Sequence, residues 1–317
     1  MDVLAFGSVL SDILVKSNNV KKTKIKGKDY FFMKYGSKIE ADRFEVTFGG
    51  SAHNIAYGIA SLGRRSGLIG CIGDDEFGKS IVKSLELVGV DINGLQYSKK
   101  PTGKSVVIIG EDNERTIMIY RGANDYIDQK NISKEYINLF RYFVFTSVTG
   151  EDSIKALDKS IRFALQSNLT VVANPSASMI VKRKKDFINF LQKSRIAIMN
   201  EEEAKLLTGK KIPKSLEAIR DLGPDTVVVT RGKDGCIAMH GKKIYEQKSF
   251  RVKVLDTTGA GDAFTAGFLN SIIRKDSIEY ALKYATVCSA LNVKSFGAVT
   301  NFPSENDIIK VIGGKNV

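Results

Sequence analysis

With 317 residues, 43% of them hydrophobic and 26% charged, the chain is long enough for one large α/β core and has the composition of an ordinary globular protein. No stretch approaches the roughly 18 apolar residues needed to span a membrane. The opening MDVLAFGSVLSD has an acid at position 2 and no basic n-region, so no signal peptide is expected. The formal charge of +13 comes from basic runs scattered along the chain, KKTKIKGK (21–28) and KRKK (182–185) among them, with few interleaved aromatics. That pattern favours a solvated basic surface that draws in anionic substrates such as nucleotides, and argues against nucleic-acid binding. Cys71, Cys236 and Cys288 are far apart and form no C-x-x-C pair, which fits small core residues in a reducing cytoplasm.

In chain order, Val3–Val9 reads as a buried first strand, and SAHNIAYGIASLG (51–63) as a helix after a Gly-Gly turn. SGLIGCI (66–72) reads as a strand and EFGKSIVKSLELVG (76–89) as a helix. YFVFTSV (142–148), TVVAN (170–174), RIAIMN (195–200) and DTVVVT (225–230) follow, each short and β-rich, each with a helical pattern after it. The alternation predicts an α/β fold: a doubly wound, mostly parallel sheet with helices on both faces. Two stretches break the rhythm. Residues 13–48 carry strand-like runs without a helical period, and KSVVIIGEDNERTIMIY (104–120) reads as a hairpin turning at GEDNE. These pieces are expected to form a small β-sheet lid projecting from the edge of the main sheet.

Two segments bear on phosphate chemistry. Gly73-Asp-Asp-Glu-Phe-Gly78-Lys79-Ser80 matches G-x-x-x-x-G-K-[ST] between a predicted strand and a predicted helix. Charge argues against a P-loop. Asp74, Asp75 and Glu76 would stand against a polyphosphate, and one such pair at about 4 Å is repulsive by ~1 kcal/mol even in water. Capping of the following helix is expected instead. In LDTTGAGDAF (255–264), Gly259, Ala260 and Gly261 run into Asp262 and an apolar helical pattern over 262–273. Such small residues expose two or three N–H groups as an anion cradle. An acid directly after the cradle suits phosphoryl transfer to an alcohol, accepting the hydroxyl proton. Taken alone, these residues leave open a simple N-cap role for Asp262.

DTTGAGDAF (256–264) and GGSAHNIAYGIASLG (49–63) together resemble the two signatures of the ribokinase-like (PfkB) family of carbohydrate and nucleoside kinases. GSVLSD (7–12), GCIGDDEFG (70–78), NEEE (200–203) and TRGKDG (230–235) resemble further family segments in the same order. The resemblance covers nearly the whole chain and implies one ribokinase-like domain over 1–317, its lid built from about 13–48 and 104–120. The implied activity is ATP-dependent phosphorylation of a primary hydroxyl on a small sugar. A nucleoside kinase on the same fold is the alternative, ahead of a P-loop NTPase or a non-catalytic sugar-binding protein. Asp262 is similar to the family's catalytic base, and Gly259, Ala260 and Gly261 to its anion hole. Asp12, Gly49, Gly50 and Asn54 resemble substrate-binding positions. Asn200, Thr230, Gly232 and Gly235 resemble nucleotide-binding positions. Glu203 and Asn200, one helical turn apart, would reach a hydrated Mg²⁺. Asp256 and Thr258, with carbonyls near Ser295 and Gly297, loosely match a monovalent-cation (K⁺) site, although KSFGA (294–298) departs from the family pattern. In the lid, Tyr30, Phe31, Phe32, Tyr35 and Phe48 would stack on a base, form the lid's own apolar face, or meet a second copy in a homodimer.

Overall fold

The computed structural model describes residues 1–111 and 115–314. Its strands in chain order are β1 (Val3–Phe6), β2 (Leu10–Lys16), β3 (Lys21–Ile25), β4 (Lys28–Phe32), β5 (Arg43–Gly49), β6 (Ser66–Gly73), β7 (Leu95–Ser98) and β8 (Gly103–Ile109). They continue with β9 (Arg115–Tyr120), β10 (Tyr142–Phe145), β11 (Thr170–Ala173), β12 (Ile196–Asn200), β13 (Thr226–Thr230), β14 (Cys236–His240) and β15 (Lys243–Gln247).

Nine of these form one sheet in the order β15-β14-β13-β12-β11-β10-β1-β6-β7. The short apolar runs make strands because both of their faces are buried. In β1, Leu4 and Phe6 enter one core while Val3 and Ala5 enter the other. The same alternation recurs in β10, where Phe143 and Phe145 oppose Val144, and in β13, where Val227 and Val229 oppose Val228. Helices Glu151–Gln166 and Lys184–Leu191 cover the first face; helices Ser51–Ser61, Glu76–Leu87 and Ala260–Ile273 cover the second. From β7 to β13 the strands are parallel, and the order reverses between β1 and β10, the kind of switch point outside which open α/β sheets bind ligands. The architecture is therefore the expected mostly parallel sheet between two helical layers, with a small separate sheet beside it.

One edge departs from expectation. DTVVVT is followed by a hairpin rather than a helix. Gly232 (φ 55°) and Gly235 (φ 86°) reverse the chain, so that β14 returns antiparallel to β13, with β15 beyond it.

The helix-free segments supply a four-stranded sheet, β5-β2-β8-β9, and apart from it a two-stranded hairpin, β3-β4. The strand of the first segment starts at Leu10, earlier than position 13, so Asp12 belongs to it. Strands β8 and β9 form the second segment's hairpin, and residues 112–114 of its GEDNE turn lie outside the described residues. Cys71, Cys236 and Cys288 are buried free thiols. Among the described residues, no helix is long and apolar enough to cross a membrane.

Candidate active site

Two helices bring the site together. Ser51–Ser61 follows Gly50, and Ala260–Ile273 follows Gly259. Both glycines have positive φ, 91° and 74°, which turns the chain sharply into each helix. A Cβ at Gly259 would stand 2.5 Å from that of Ala298, so this entry also needs the space. The helices lie side by side and start at the same end. Asn54 Nδ2 donates to Asp262 Oδ2 at 2.8 Å near their starts. Farther along, a Cβ on Gly58 would come within 3.0 Å of Ala266 Cβ. Past the end of the first helix, Arg64 Nε donates to Asn270 Oδ1 at 2.8 Å. Both helix N-termini, with their partial positive charge, thus converge on one spot.

Asp262 occupies the first turn of its helix and does not cap it; Gly259 is the capping residue. That removes the N-cap reading. Burial pushes the Asp262 carboxyl up to about 6, against hydrogen bonds from the Asn54 and Ser51 side chains that hold the ionised form; the nearby Asp12 adds to the rise. The N–H groups of Gly261 and Asp262 find no backbone acceptor among the described residues. A Cβ on Gly261 would meet nothing within 4 Å, so this cradle opens on free space.

Asp12 stands on β2 between Thr47 of β5 and Ser105 of β8. It is buried, and Ser105 Oγ donates to its Oδ1 at 2.6 Å. Burial raises its pKa and the Ser105 hydrogen bond works against the rise. The place that a Cβ of Gly49 would take is occupied by the Asp12 carboxylate, and that of Gly50 by the Ser8 carbonyl. The Gly-Gly pair lets backbone and carboxylate approach closely. Asn54 is buried like Asp12, not a surface amide.

The loop before Gly259 is knotted around Asp256. Thr258 donates to Asp256 Oδ1 through its N–H at 2.9 Å and through Oγ1 at 2.7 Å; Gly297 N–H donates to Oδ2 at 3.0 Å. The structure thus joins Asp256, Thr258 and Gly297, while the Ser295 N–H is taken by the Asn292 carbonyl. Arg115 reaches across from β9, hydrogen-bonded to Thr257 Oγ1 and 3.9 Å from Asp256 Oδ1.

Asn200 and Glu203 form a reciprocal cap on helix Glu201–Thr208. Asn200 Oδ1 accepts from the Glu203 N–H, and Glu203 Oε2 accepts from the Asn200 N–H, both at 2.8 Å. Burial, with Asp262 and Glu202 adding to it, pushes the Glu203 carboxyl up to about 7 against hydrogen bonds from the backbone of Asn200 and Ala177. Thr230 ends β13, and Gly232 and Gly235 make the turn after it. The P-loop pattern at 73–80 is closed on itself. Asp75 caps the helix by accepting from Gly78 N–H at 2.9 Å and also accepts from Thr102 N–H at 2.9 Å, and Lys79 pairs with Glu76 at 3.0 Å. Its donors and its lysine are already engaged.

Sequence reading missed Ser51, Ser105, Arg115 and the hairpin β14-β15. Ser105 left a signal: it falls in phase with Val107 and Ile109 on the buried side of an alternating strand. Arg115 left none, because its partners are remote in sequence.

A mostly parallel α/β sheet flanked by a helix whose open N-terminus carries a buried acid defines a phosphotransferase-like architecture. The profile of the pfkB family carbohydrate kinases matches residues 19–305, and the chain belongs to that family. Ribokinase from Haemophilus influenzae is 25% identical over 289 residues, 89% of this chain and 92% of that protein. An ATP-dependent 6-phosphofructokinase from Thermoanaerobacterium thermosaccharolyticum is 29% identical over 283 residues, 86% of this chain and 87% of that protein. Among solved structures, Arabidopsis thaliana ribokinase complexed with ribose and ATP superimposes with a TM-score of 0.82 at 25% identity, covering 98% of each chain. Ribokinase from Thermotoga maritima superimposes with a TM-score of 0.83 at 21% identity, covering 99% of each chain.

The raised Asp262 pKa has a consequence for stability. The folded carboxyl titrates at about 6, above the ordinary value of about 3.9 for an unfolded chain. Between the two the folded state holds more protons, so stability falls as pH rises through that window and stays lower above it. Asp262→Asn should melt a few degrees above the parent at about pH 8, with the gap closing towards about pH 4. Thermal melts across this range check it; a gap independent of pH contradicts the assignment.

Proposed function

We propose that the chain is an ATP-dependent kinase that phosphorylates a primary hydroxyl of a small sugar, with Asp262 as general base. The observation that carries this is a single carboxylate, held by Asn54 and Ser51, beside N–H groups left open at a helix N-terminus. With its pKa near 6, Asp262 is ionised at neutral pH and basic enough to take a hydroxyl proton as the bond to phosphorus forms. Asn54 donates to Oδ2 and so fixes the carboxylate that would take the proton. Charge building on the transferred phosphoryl group faces the Gly259–Gly261 cradle and the converging helix ends. Asp12, with Asn54, receives the acceptor's other hydroxyls.

Asn200, Thr230, Gly232 and Gly235 border the nucleotide in this reading. The Arabidopsis relative, which holds ribose and ATP, supports the donor and the acceptor class. Glu203 would hold Mg²⁺ through water with Asn200 beside it; a half-buried carboxyl whose pKa is raised by burial and by the charge of Asp262 fits a hydrated divalent cation. When bound, Mg²⁺ supplies charge neutralisation at the phosphates. A monovalent cation such as K⁺ enters the proposal only as a ligand of the loop formed by Asp256, Thr258, Ser295 and Gly297.

The placement of the aromatics favours a sugar over a nucleoside. Tyr30, Phe31 and Phe32 lie on the separate β3-β4 hairpin, Tyr35 is fully exposed, and Phe48 packs towards His53. The whole chain, 1–317, is read as one ribokinase-like domain in which 13–48 and 104–120 form a lid over the acceptor.

Asp262→Asn should lower turnover by about 10²–10⁴ while ATP binding persists. In the parent, kcat/KM should rise through about pH 6 and level off above, as the base ionises. ATP consumption over a panel of sugars and nucleosides measures both and identifies the acceptor; near-parental turnover of the variant refutes the assignment. Asp12→Ala should weaken acceptor use by roughly ten- to a hundredfold with little change in ATP affinity, and the loss should shrink for the deoxy sugar lacking the contacted hydroxyl. Equal losses for every deoxy analogue would make Asp12 a fold residue only. If the lid closes on the acceptor, hydrogen exchange should slow in both 13–48 and 104–120 on binding. Slowing confined to 256–264 would count against closure.

A further inference from the structure

His53 precedes Asn54 on helix Ser51–Ser61 and is 0% exposed. Its ring stacks on Tyr57, 6.0 Å between centroids and 28° between planes, and lies 6.3 Å from Phe48. Nδ1 is 3.1 Å from Asn54 Oδ1. Nε2 is buried with no hydrogen-bond partner among the described residues. Packing alone does not explain a histidine here, since a phenylalanine would fill the same space without a buried, unsatisfied nitrogen.

The direction of the hydrogen bonds follows from the carboxylate at the far end. Ionised Asp262 only accepts, so Asn54 must turn its NH₂ towards it. The Asn54 oxygen then faces His53 and requires a proton on Nδ1. Burial keeps the ring neutral, its pKa lowered to about 4, so Nε2 is the bare nitrogen. The charged and titratable groups around this chain are Tyr57 on the same helix, Asp262 on the adjacent helix, Asp12 on β2 and Glu203 beyond Asp262.

We propose that His53 is a positioning residue: as the neutral Nδ1–H tautomer it donates to Asn54, fixes the amide with its NH₂ towards Asp262, and so keeps the base aimed. The second amide hydrogen of Asn54 stays available to an acceptor hydroxyl. This deepens the reading of Asp262 as general base and rests on it for its catalytic meaning, whereas the direction of the hydrogen bonds is testable on its own.

The chain contains two histidines, His53 and His240, so ¹⁵N-histidine spectra with His240→Gln assign both. His53 should show the Nδ1–H tautomer at neutral pH, and Asn54→Ala should abolish that preference. An Nε2–H tautomer or a protonated ring in the parent overturns the proposal, whatever any variant does. The second measurement is the titration of the Asp262 carboxyl carbon in the unliganded protein, assigned with Asp262→Asn. His53→Phe keeps the ring packing and removes the donor. It should raise the Asp262 midpoint by about one pH unit, because a hydrogen bond to the charged form is weakened. His53→Asn places an amide N–H near the Nδ1 position and should restore the parental midpoint. A packing role predicts the reverse order, with Phe close to parental and Asn worse, and that result overturns the proposal. Should Asp262→Asn retain parental turnover while the tautomer is as stated, the reading of the base fails and the hydrogen-bond chain stands.

Discussion

The hydrogen bond between Asn54 and Asp262 depends on two helices being packed in parallel, and the rest of the site depends on that packing. Helices packed this way put both N-termini at one end, and with them two fractional positive charges. The close approach requires small residues at the contact. Gly58 faces Ala266, while Gly267 on the far side is in close contact with Cys288 and Ala285 of helix Ile278–Asn292. A bulky residue at Gly58 would part the first two helices and separate Asn54 from Asp262, and one at Gly267 would push the second away from helix Ile278–Asn292.

The electrostatic arrangement runs against the molecule as a whole. A chain of net charge +13 gathers Asp12, Glu203, Asp256 and Asp262 in and around one cleft. Burial and charge repulsion raise three of them, Asp12, Glu203 and Asp262, above ordinary carboxylate values. Thr258 and Gly297 surround the Asp256 carboxylate with donors. Raised acids in a cleft are a standing cost to the fold, and they are what proton transfer and cation binding need.

Most of the main sheet was legible because its strands are short apolar runs buried on both faces, a pattern that needs no tertiary information. The edge hairpin was not, since TRGKDG supports either a helix start or a reversal until the positive φ of Gly232 and Gly235 is known. The site was legible in parts. Gly49, Gly50, Asn54 and the segment 259–262 stand out locally, but a separation of 208 positions between Asn54 and Asp262 conceals that they touch. Only the family resemblance joined the two segments. His53 and Arg115 carry no distinguishing local signal. Their partners come from packing, which periodicity does not encode. Conversely, 73–80 matched a motif fully and proved to be a capped helix start, because the pattern specifies spacing and ignores the acids within it.

Asp12 is carried on β2, which pairs with both β5 and β8 in the four-stranded sheet, while Asp262 lies in the first turn of helix Ala260–Ile273. The negative charge of Asp12 helps raise the Asp262 pKa, so a displacement of that sheet away from Asp262 would make Asp262 a weaker base and one towards it a stronger base. Under the proposed function, basicity is thereby tied to the position of the element that carries the acceptor-binding Asp12.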